Sequence, residues 1–116
     1  MKTELKECID TCLRCHAACI ETAGHGLRIG GAHATPEHQR ILSDCVEACM
    51  TSVHFMLHRS KFHHEYCRLC ADVCKTCAES CESLPGRDEV LAQCAQICRE
   101  CEASCRKMGA AMAAAS

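Results

Sequence analysis

Small apolar side chains, most of them cysteines, recur along this chain at alternating steps of three and four residues. Such steps place side chains on one face of an α-helix, at the a and d positions of a heptad. Three runs of cysteines follow this pattern, over residues 8–19, 67–81 and 94–105. Each run therefore predicts a helix with an inward stripe of thiols.

A fourth run keeps the same stepping while its chemistry changes. Cys45 and Cys49 are followed at the same spacing by Ser52 and Met56. Four stripes predict four helices, and no stretch of sequence shows the alternation of a strand. Because the later connections are short, neighbouring helices should be antiparallel. The predicted fold is all-α, an antiparallel up-down-up-down four-helix bundle with a cysteine-lined core.

Turn and capping residues set the predicted helix bounds. Gly24-His25-Gly26 should end the first helix, and Thr35 should cap the second, with Pro36 at its first position. Ser60 can cap the third helix, and Leu84-Pro85-Gly86 forms the turn before the fourth. The expected organisation is one domain over residues 1–116, with helices at about 3–23, 36–58, 61–83 and 87–108 and a flexible tail over 109–116.

The composition explains what the core is made of. Aromatic residues are 3% of the chain, whereas 15 of its 116 residues are cysteines. Disulfides do not fit, because the number is odd and because cysteines three or four apart on a helix have Cβ atoms about 5–6 Å apart, against about 3.5–4.5 Å in a disulfide. The N-terminus is charged and lacks the apolar stretch of a signal peptide. We therefore expect free thiols and a cytoplasmic location.

Charge and hydropathy narrow the range of partners. The net charge is -2, and the pI is near 6.4, so the chain has no basic surface for nucleic acid or an anionic membrane. No apolar run approaches the roughly 18 residues of a membrane span. We expect neither nucleic acid nor membrane as a partner.

Metal binding is the chemistry that a stripe of thiols favours. Thiolates are soft ligands that select Cu(I), Zn(II) and iron-sulfur clusters. Pairs four residues apart offer two sulfurs on one face, which suits an ion that accepts two or three sulfurs, such as Cu(I). We expect multiple Cu(I) ions per chain. The candidate ligands are Cys8, Cys12, Cys15, Cys19, Cys45, Cys49, Cys67, Cys70, Cys74, Cys77, Cys81, Cys94, Cys98, Cys101 and Cys105.

Other interpretations of the stripe are less favoured. Zinc prefers closed tetrahedral sets of four ligands, which a continuous ladder is not expected to offer. Ferredoxin spacing differs from this alternation and is followed by proline. A thiol-disulfide redox protein needs an exposed, acidic thiol at a helix N-terminus. A purely hydrophobic core of cysteines is also conceivable, but leucine or valine would serve better. Zn(II) storage and thiol redox chemistry stay as the alternatives.

One family has this pattern. The segment from Glu65 to Cys74, its continuation to Cys81, and the run from Cys94 to Cys105 followed by Arg106-Lys107-Met108 closely resemble the cytosolic copper storage proteins of bacteria. The resemblance covers nearly the whole chain. It implies a homotetramer of four-helix bundles, each holding many Cu(I) ions at mostly two-thiolate sites. It also implies storage and detoxification rather than catalysis, with a copper chaperone as a candidate source of the metal.

One end of the predicted bundle continues the stripes with weaker ligands. Its inward positions are Met1, Leu5, Met56, His63, Met108 and Met112. Thioethers and imidazole hold Cu(I) less tightly than thiolates, as an entrance should. We expect Cu(I) to pass from Met56, His63 and Met108, with His58 as a further candidate, to the nearest cysteines. These methionines could instead simply fill the end of the core.

The remaining histidines and outward apolar residues carry less information. Most of the histidines are expected to be solvated, namely His16, His25, His33, His38, His54 and His64. The outward apolar residues exceed what a monomeric bundle needs, which is consistent with burial between subunits. They are Ile9, Leu13, Val46, Phe55, Leu69 and Val73.

Overall fold

Four α-helices account for nearly all of the chain in the computed structural model, which describes residues 3–115 and the side chains of residues 3–110. They are α1 (Thr3–Ile29), α2 (Pro36–Leu57), α3 (His63–Ser83) and α4 (Glu89–Ala115), and a 3-10 helix (Gly31–Ala34) connects α1 to α2. No strand occurs within the described residues.

The helices form a ring in which each one packs against two others. α1 packs on α2 and α4, and α3 packs on the same two. The backbones of the diagonal pairs stay apart, and these helices meet through cysteine side chains in the centre. Short connections between consecutive helices make neighbours antiparallel. The described chain measures 46 × 21 × 20 Å along its principal axes. The predicted fold class is confirmed.

The first helix is longer than predicted. The sequence analysis ends it at residue 23, but it continues through Gly24 and Gly26 to Ile29. The helix ends instead at Gly30, which has a left-handed φ of 80° and donates its N–H to the carbonyl of Gly26. Gly26 serves a packing role, since a Cβ there would lie 2.6 Å from the carbonyl oxygen of His33.

The second connection and the start of α3 also differ in detail from the prediction. Thr35 caps α2 as expected, because its Oγ1 accepts the N–H of His38 at 3.3 Å. Ser60 does not cap α3. Its Oγ accepts the N–H of Phe62 within the turn, so α3 begins at His63 instead of residue 61.

The fourth helix starts later and ends later than the sequence predicts. Asp88 is its cap, since Oδ1 accepts the N–H of Leu91 at 3.1 Å, and the first helical residue is Glu89. The predicted tail is helical from Gly109 to Ala115. Alanine is the strongest helix former, so a segment rich in it continues the helix.

The core is dominated by sulfur. Every cysteine is buried, and the bulkiest other residues that are fully buried are Leu42, Met56 and Leu91. Ile9, predicted to face outward, is 5% exposed and belongs to the core. The buried side of a helix in a globular protein is wider than an a/d seam, so residues beside the stripe are covered too. None of the described helices combines the length and apolar content that crossing a lipid bilayer requires.

The two glycines near the end of α1 allow a matched test of packing. Gly26→Ala should lower the free energy of unfolding by about 1–3 kcal/mol, because the added Cβ meets the backbone of His33. Gly24→Ala should raise it by about 0.5–1 kcal/mol, because Gly24 is helical and a Cβ there meets nothing closer than 3.7 Å. Urea unfolding of the reduced, metal-free protein measures both. Equal effects of the two substitutions would contradict this role for Gly26.

Candidate metal centre

The candidate centre runs along the axis of the bundle and is built from all four helices. All fifteen cysteines are free and buried, and none is more than 1% exposed. The heptad stepping predicted this inward placement, and here it is confirmed. The structure adds the contacts between helices, which the sequence does not give.

Eleven of the fifteen thiols lie in one continuous path. The Sγ–Sγ distances of its first five steps are 3.8 Å for Cys8–Cys105, 3.5 Å for Cys105–Cys12, 3.7 Å for Cys12–Cys101, 3.9 Å for Cys101–Cys49 and 3.9 Å for Cys49–Cys74. Those of the next five are 3.8 Å for Cys74–Cys45, 3.8 Å for Cys45–Cys15, 3.8 Å for Cys15–Cys98, 3.9 Å for Cys98–Cys19 and 3.9 Å for Cys19–Cys77. Every step in this path joins two different helices. Contacts between thiols four residues apart, such as Cys70–Cys74 at 3.9 Å, add to it.

These distances exclude disulfides and suit metal ions. A disulfide bond is about 2.05 Å long, well below any separation in the path. With metal–sulfur bonds of about 2.3 Å, two sulfurs on one ion lie about 4.0 Å apart in trigonal geometry and about 4.6 Å apart in linear geometry. The thiols therefore need to move by only a fraction of an ångström to bind ions between them.

The sulfurs also form groups of four, which the sequence analysis did not expect. In each group all four Sγ atoms lie within 4.8 Å of one another. The groups are Cys12/Cys70/Cys101/Cys105, Cys15/Cys45/Cys49/Cys74, Cys15/Cys19/Cys45/Cys98 and Cys49/Cys70/Cys74/Cys101. Each group shares two members with at least one other, so the four cannot all be separate closed sites at once. They are typical of a cluster in which one sulfur bridges neighbouring ions.

Hydrogen bonds between thiols of the path raise the pKa of some thiols and lower that of their partners, such as Cys15, while burial raises the pKa of both. The pKa of Cys19 is raised by hydrogen bonding to Cys15 and other neighbouring thiols, together with burial. The pKa of Cys74 is raised by hydrogen bonding first to Cys101, and that of Cys105 is raised in the same way by Cys101 and Cys12, again with burial. At neutral pH these three groups are neutral thiols. A metal ion that binds them must displace protons.

The residues predicted to form the entrance belong to one end of the bundle, at the end of α2, the start of α3 and the later part of α4. Met56 is fully buried, Met108 is 9% exposed, and His63 is partly buried. Burial lowers the pKa of His63 below its ordinary value, and the neighbouring His64 lowers it further. Cys8 raises this pKa, but by less than the other two lower it. The imidazole is thus neutral, as a metal ligand requires. Met1 lies outside the described residues, as does the side chain of Met112.

Hydrogen bonds fix the tautomer of His63. Nδ1 of His64 lies 2.7 Å from the carbonyl oxygen of Met108 and so donates to it. Nε2 of His64 is then unprotonated and accepts from Nε2 of His63 at 2.9 Å. Nδ1 of His63 therefore carries a lone pair, and it is buried with no partner among the described residues. This nitrogen is free to bind a metal ion.

Ser52 interrupts the thiol stripe of α2. It lies between Cys49 and Met56 in the inward stepping and is 0% exposed. Its Oγ has no hydrogen-bond partner within the described part of the chain. The core at this point thus has a hydroxyl where the pattern calls for a thiol.

The other histidines are mostly not solvated, contrary to the sequence prediction. His33 and His38 are 5% and 3% exposed, and Nδ1 of His38 lies 2.8 Å from the Oγ of Ser80. Nδ1 of His16 lies 2.9 Å from the carbonyl oxygen of Val46. Each of these partners comes from another helix, so no local pattern announces it. His54 is exposed, as predicted.

Comparison with known families decides the classification. Residues 1–110 match the family described as copper storage protein. The chain belongs to this family. A comparison with curated proteins gave no match.

Several solved structures, among them copper storage proteins, are similar to this chain over most of its length. A protein from Nitrosospira multiformis is 41% identical over 96% of this chain and 99% of its own, with a TM-score of 0.88. The Cu(I)-bound copper storage protein BsCsp3 is 29% identical over 92% and 99%, with a TM-score of 0.85. A cytosolic copper storage protein from Streptomyces lividans, loaded with five coppers, is 26% identical over 92% of both chains, with a TM-score of 0.79.

The raised thiol pKa values predict how the metal-free bundle responds to pH. A thiol held neutral in the folded state stabilises the fold fully below its ordinary pKa of about 8.5, and this stability is lost as the pH rises above that value. Each such thiol should lower the free energy of unfolding by about 2 kcal/mol as the pH rises from about 8 to about 10.

Urea unfolding under anaerobic, reducing conditions at several pH values measures this loss. In Cys19→Ala the free energy of unfolding should fall less with pH, because the substitution removes one titrating thiol. A stability that stays constant or rises over this range would contradict the neutral state of the buried thiols.

Proposed function

We propose that this chain binds and stores several Cu(I) ions through the thiolates that line its core. The observation that carries the proposal is the unbroken path of sulfurs at 3.5–3.9 Å between Cys8 and Cys77. Membership of the copper storage protein family and the Cu(I)-bound state of similar proteins support it. All fifteen cysteines are the proposed ligands.

Sharing of sulfurs favours Cu(I) over Zn(II). Zinc sites use four ligands that belong to one ion, whereas Cu(I) accepts two or three sulfurs and tolerates bridging thiolates. Overlapping groups of four sulfurs suit the second arrangement. Thiol redox catalysis is not favoured, because every thiol is at most 1% exposed and none can reach a protein substrate. The proposed role is copper storage and buffering rather than catalysis.

We also propose that copies of the chain associate into a homotetramer in the cytoplasm. Leu13, Ile20 and Leu27 of α1 are 41%, 50% and 66% exposed and recur every seven residues, which makes an apolar seam for another copy. The tetramer and the cytoplasmic location rest on the family resemblance, as does a copper chaperone as the source of the ions. Sedimentation of the reduced protein as a monomer would contradict the association.

Anaerobic titration of the reduced, metal-free protein with Cu(I) tests the storage function. A chromophoric chelator that competes for Cu(I) should stay silent until more than about ten equivalents have been added, because the thiolates hold the ion more tightly. The pH of a weakly buffered sample should fall as thiol protons are displaced. A response of the chelator after one or two equivalents would exclude a copper store.

Ser52 supplies a matched variant for the same titration. Ser52→Cys places a thiol in the inward gap between Cys49 and Met56 and should raise the capacity by about one equivalent. Ser43→Cys on the exposed face of the same helix should leave the capacity of the core unchanged. If Ser52→Cys and Ser43→Cys raised the Cu(I) capacity equally, a thiol would not need to face the core to bind the ion.

We propose that Cu(I) enters the path at Met56, His63 and Met108. These residues lie beyond the last thiols at one end of the bundle, and Nδ1 of His63 is an unprotonated, unpartnered nitrogen among the described residues. Weaker ligands at this end allow an ion to be captured and passed on to the thiolates. His58, also considered as a ligand, is exposed.

Stopped-flow measurement of Cu(I) loading shows whether these residues form an entrance or only fill the end of the core. The triple variant Met56→Leu, His63→Leu and Met108→Leu should load Cu(I) at least about tenfold more slowly while its final capacity is unchanged, because the thiolates are intact. Met50→Leu with His54→Leu, at positions of α2 outside its inward stripe, is the matched control. An unchanged loading rate in the triple variant would show that these residues only fill the core.

A further inference from the structure

A second cluster of metal-ligating side chains lies at the end of the bundle away from Met56 and His63. His25 comes from the last turns of α1, His33 from the 3-10 helix, and Asp88 from the cap of α4. One imidazole nitrogen of each histidine and one carboxylate oxygen of Asp88 lie within 4.8 Å of one another. The sulfur path does not use any of these three residues.

Hydrogen bonds leave His33 in the form that a metal ligand needs. Nε2 lies 3.2 Å from the carbonyl oxygen of Gly86, which can only accept, so Nε2 carries the proton. In the neutral imidazole Nδ1 is then the nitrogen with the lone pair, and it is buried without a partner among the described residues. The residue as a whole is 5% exposed. A histidine that donates one ring N–H to a backbone carbonyl is typical of metal sites, where this bond orients the ligand.

The other two residues form a preassembled pair. Nε2 of His25 lies 2.6 Å from Oδ2 of Asp88. The second oxygen of Asp88 accepts the N–H of Leu91 at 3.1 Å, which fixes the carboxylate against the start of α4. Hydrogen bonding to His25, and then to Leu91, lowers the pKa of Asp88, so the group is a carboxylate at neutral pH. Side-chain exposures of 19% for His25 and 38% for Asp88 leave the pair accessible from solvent.

We propose that His25, His33 and Asp88 form a binding site for one divalent transition-metal ion of the Zn(II) class, separate from the thiolate core. Two imidazoles and one carboxylate suit such an ion, with water completing the coordination. Ligand atoms in a tetrahedral zinc site are about 3.3 Å apart. Nε2 of His25 and Oδ2 of Asp88, now 2.6 Å apart, must therefore separate by about 0.7 Å and release the proton between them, while the nitrogen of His33 closes by at most about 1.5 Å. The ion would tie together the three elements at this end of the bundle. The site does not depend on copper storage.

Zn(II) added to the Cu(I)-loaded full-length protein tests the site, because the thiolates are then occupied. Anaerobic equilibrium dialysis should retain one Zn(II) per chain, and the imidazole nitrogen resonances of His25 and His33 should shift. Asp88→Asn keeps the side-chain oxygen that caps α4 but removes the charge, and it should weaken binding at least about tenfold. His25→Gln should do the same, while His54→Gln on the exposed face of α2 should have no effect.

The outcomes distinguish this site from the copper store. Retention of no Zn(II), or wild-type binding by both Asp88→Asn and His25→Gln, would overturn the proposal. Failure to load Cu(I) would be seen before zinc is added and would count against the storage function alone. The same zinc titration would then be made on the reduced metal-free protein, where shifts confined to cysteine resonances would overturn the site.

Discussion

The structure depends on keeping fifteen thiols inside a bundle that has little else to fill its core. A neutral thiol packs as a small hydrophobe, so the same side chains can support the fold without metal and offer ligands when protons leave. Leu42 and Leu91, which precede Cys45 and Cys94 in the inward stepping, are among the few larger side chains that are fully buried. Because cysteine is a hydrophobe when protonated and a ligand when deprotonated, the core and the candidate metal centre occupy the same volume.

The two ends of the bundle close this column in different ways. One end has Met56, His63 and Met108, soft or neutral ligands that continue the direction of the sulfur path. The other end has His33, His38 and Asp88, which are hydrogen-bonded to Gly86, Ser80 and Leu91 respectively. The ligands therefore stay mainly sulfur at the first end, where thioethers replace thiols, and change to harder nitrogen and oxygen at the other.

Sequence reasoning succeeded where one residue type repeats at one spacing. The thiol stripes gave the number of helices, the fold class and the inward placement of every cysteine, because burial along a helix is a periodic property. It failed where a contact joins distant segments. The end of α1 depends on the approach of His33 to Gly26, and the burial of His38 depends on Ser80 of another helix. Neither local turn rules nor spacing contain that information.

The sulfur path is effectively one-dimensional, and this has a consequence for the order in which a filled store exchanges its contents. Each thiol contacts a few neighbours along a column that is sealed from solvent by four helices. If Cu(I) fills this column from one end, ions taken up first are displaced inward and become the last to leave. The protein would then hold a recently acquired, exchangeable pool near Cys8 and an older, slowly turning pool near Cys77, so its readiness to give up copper would depend on its loading history as well as on the amount bound.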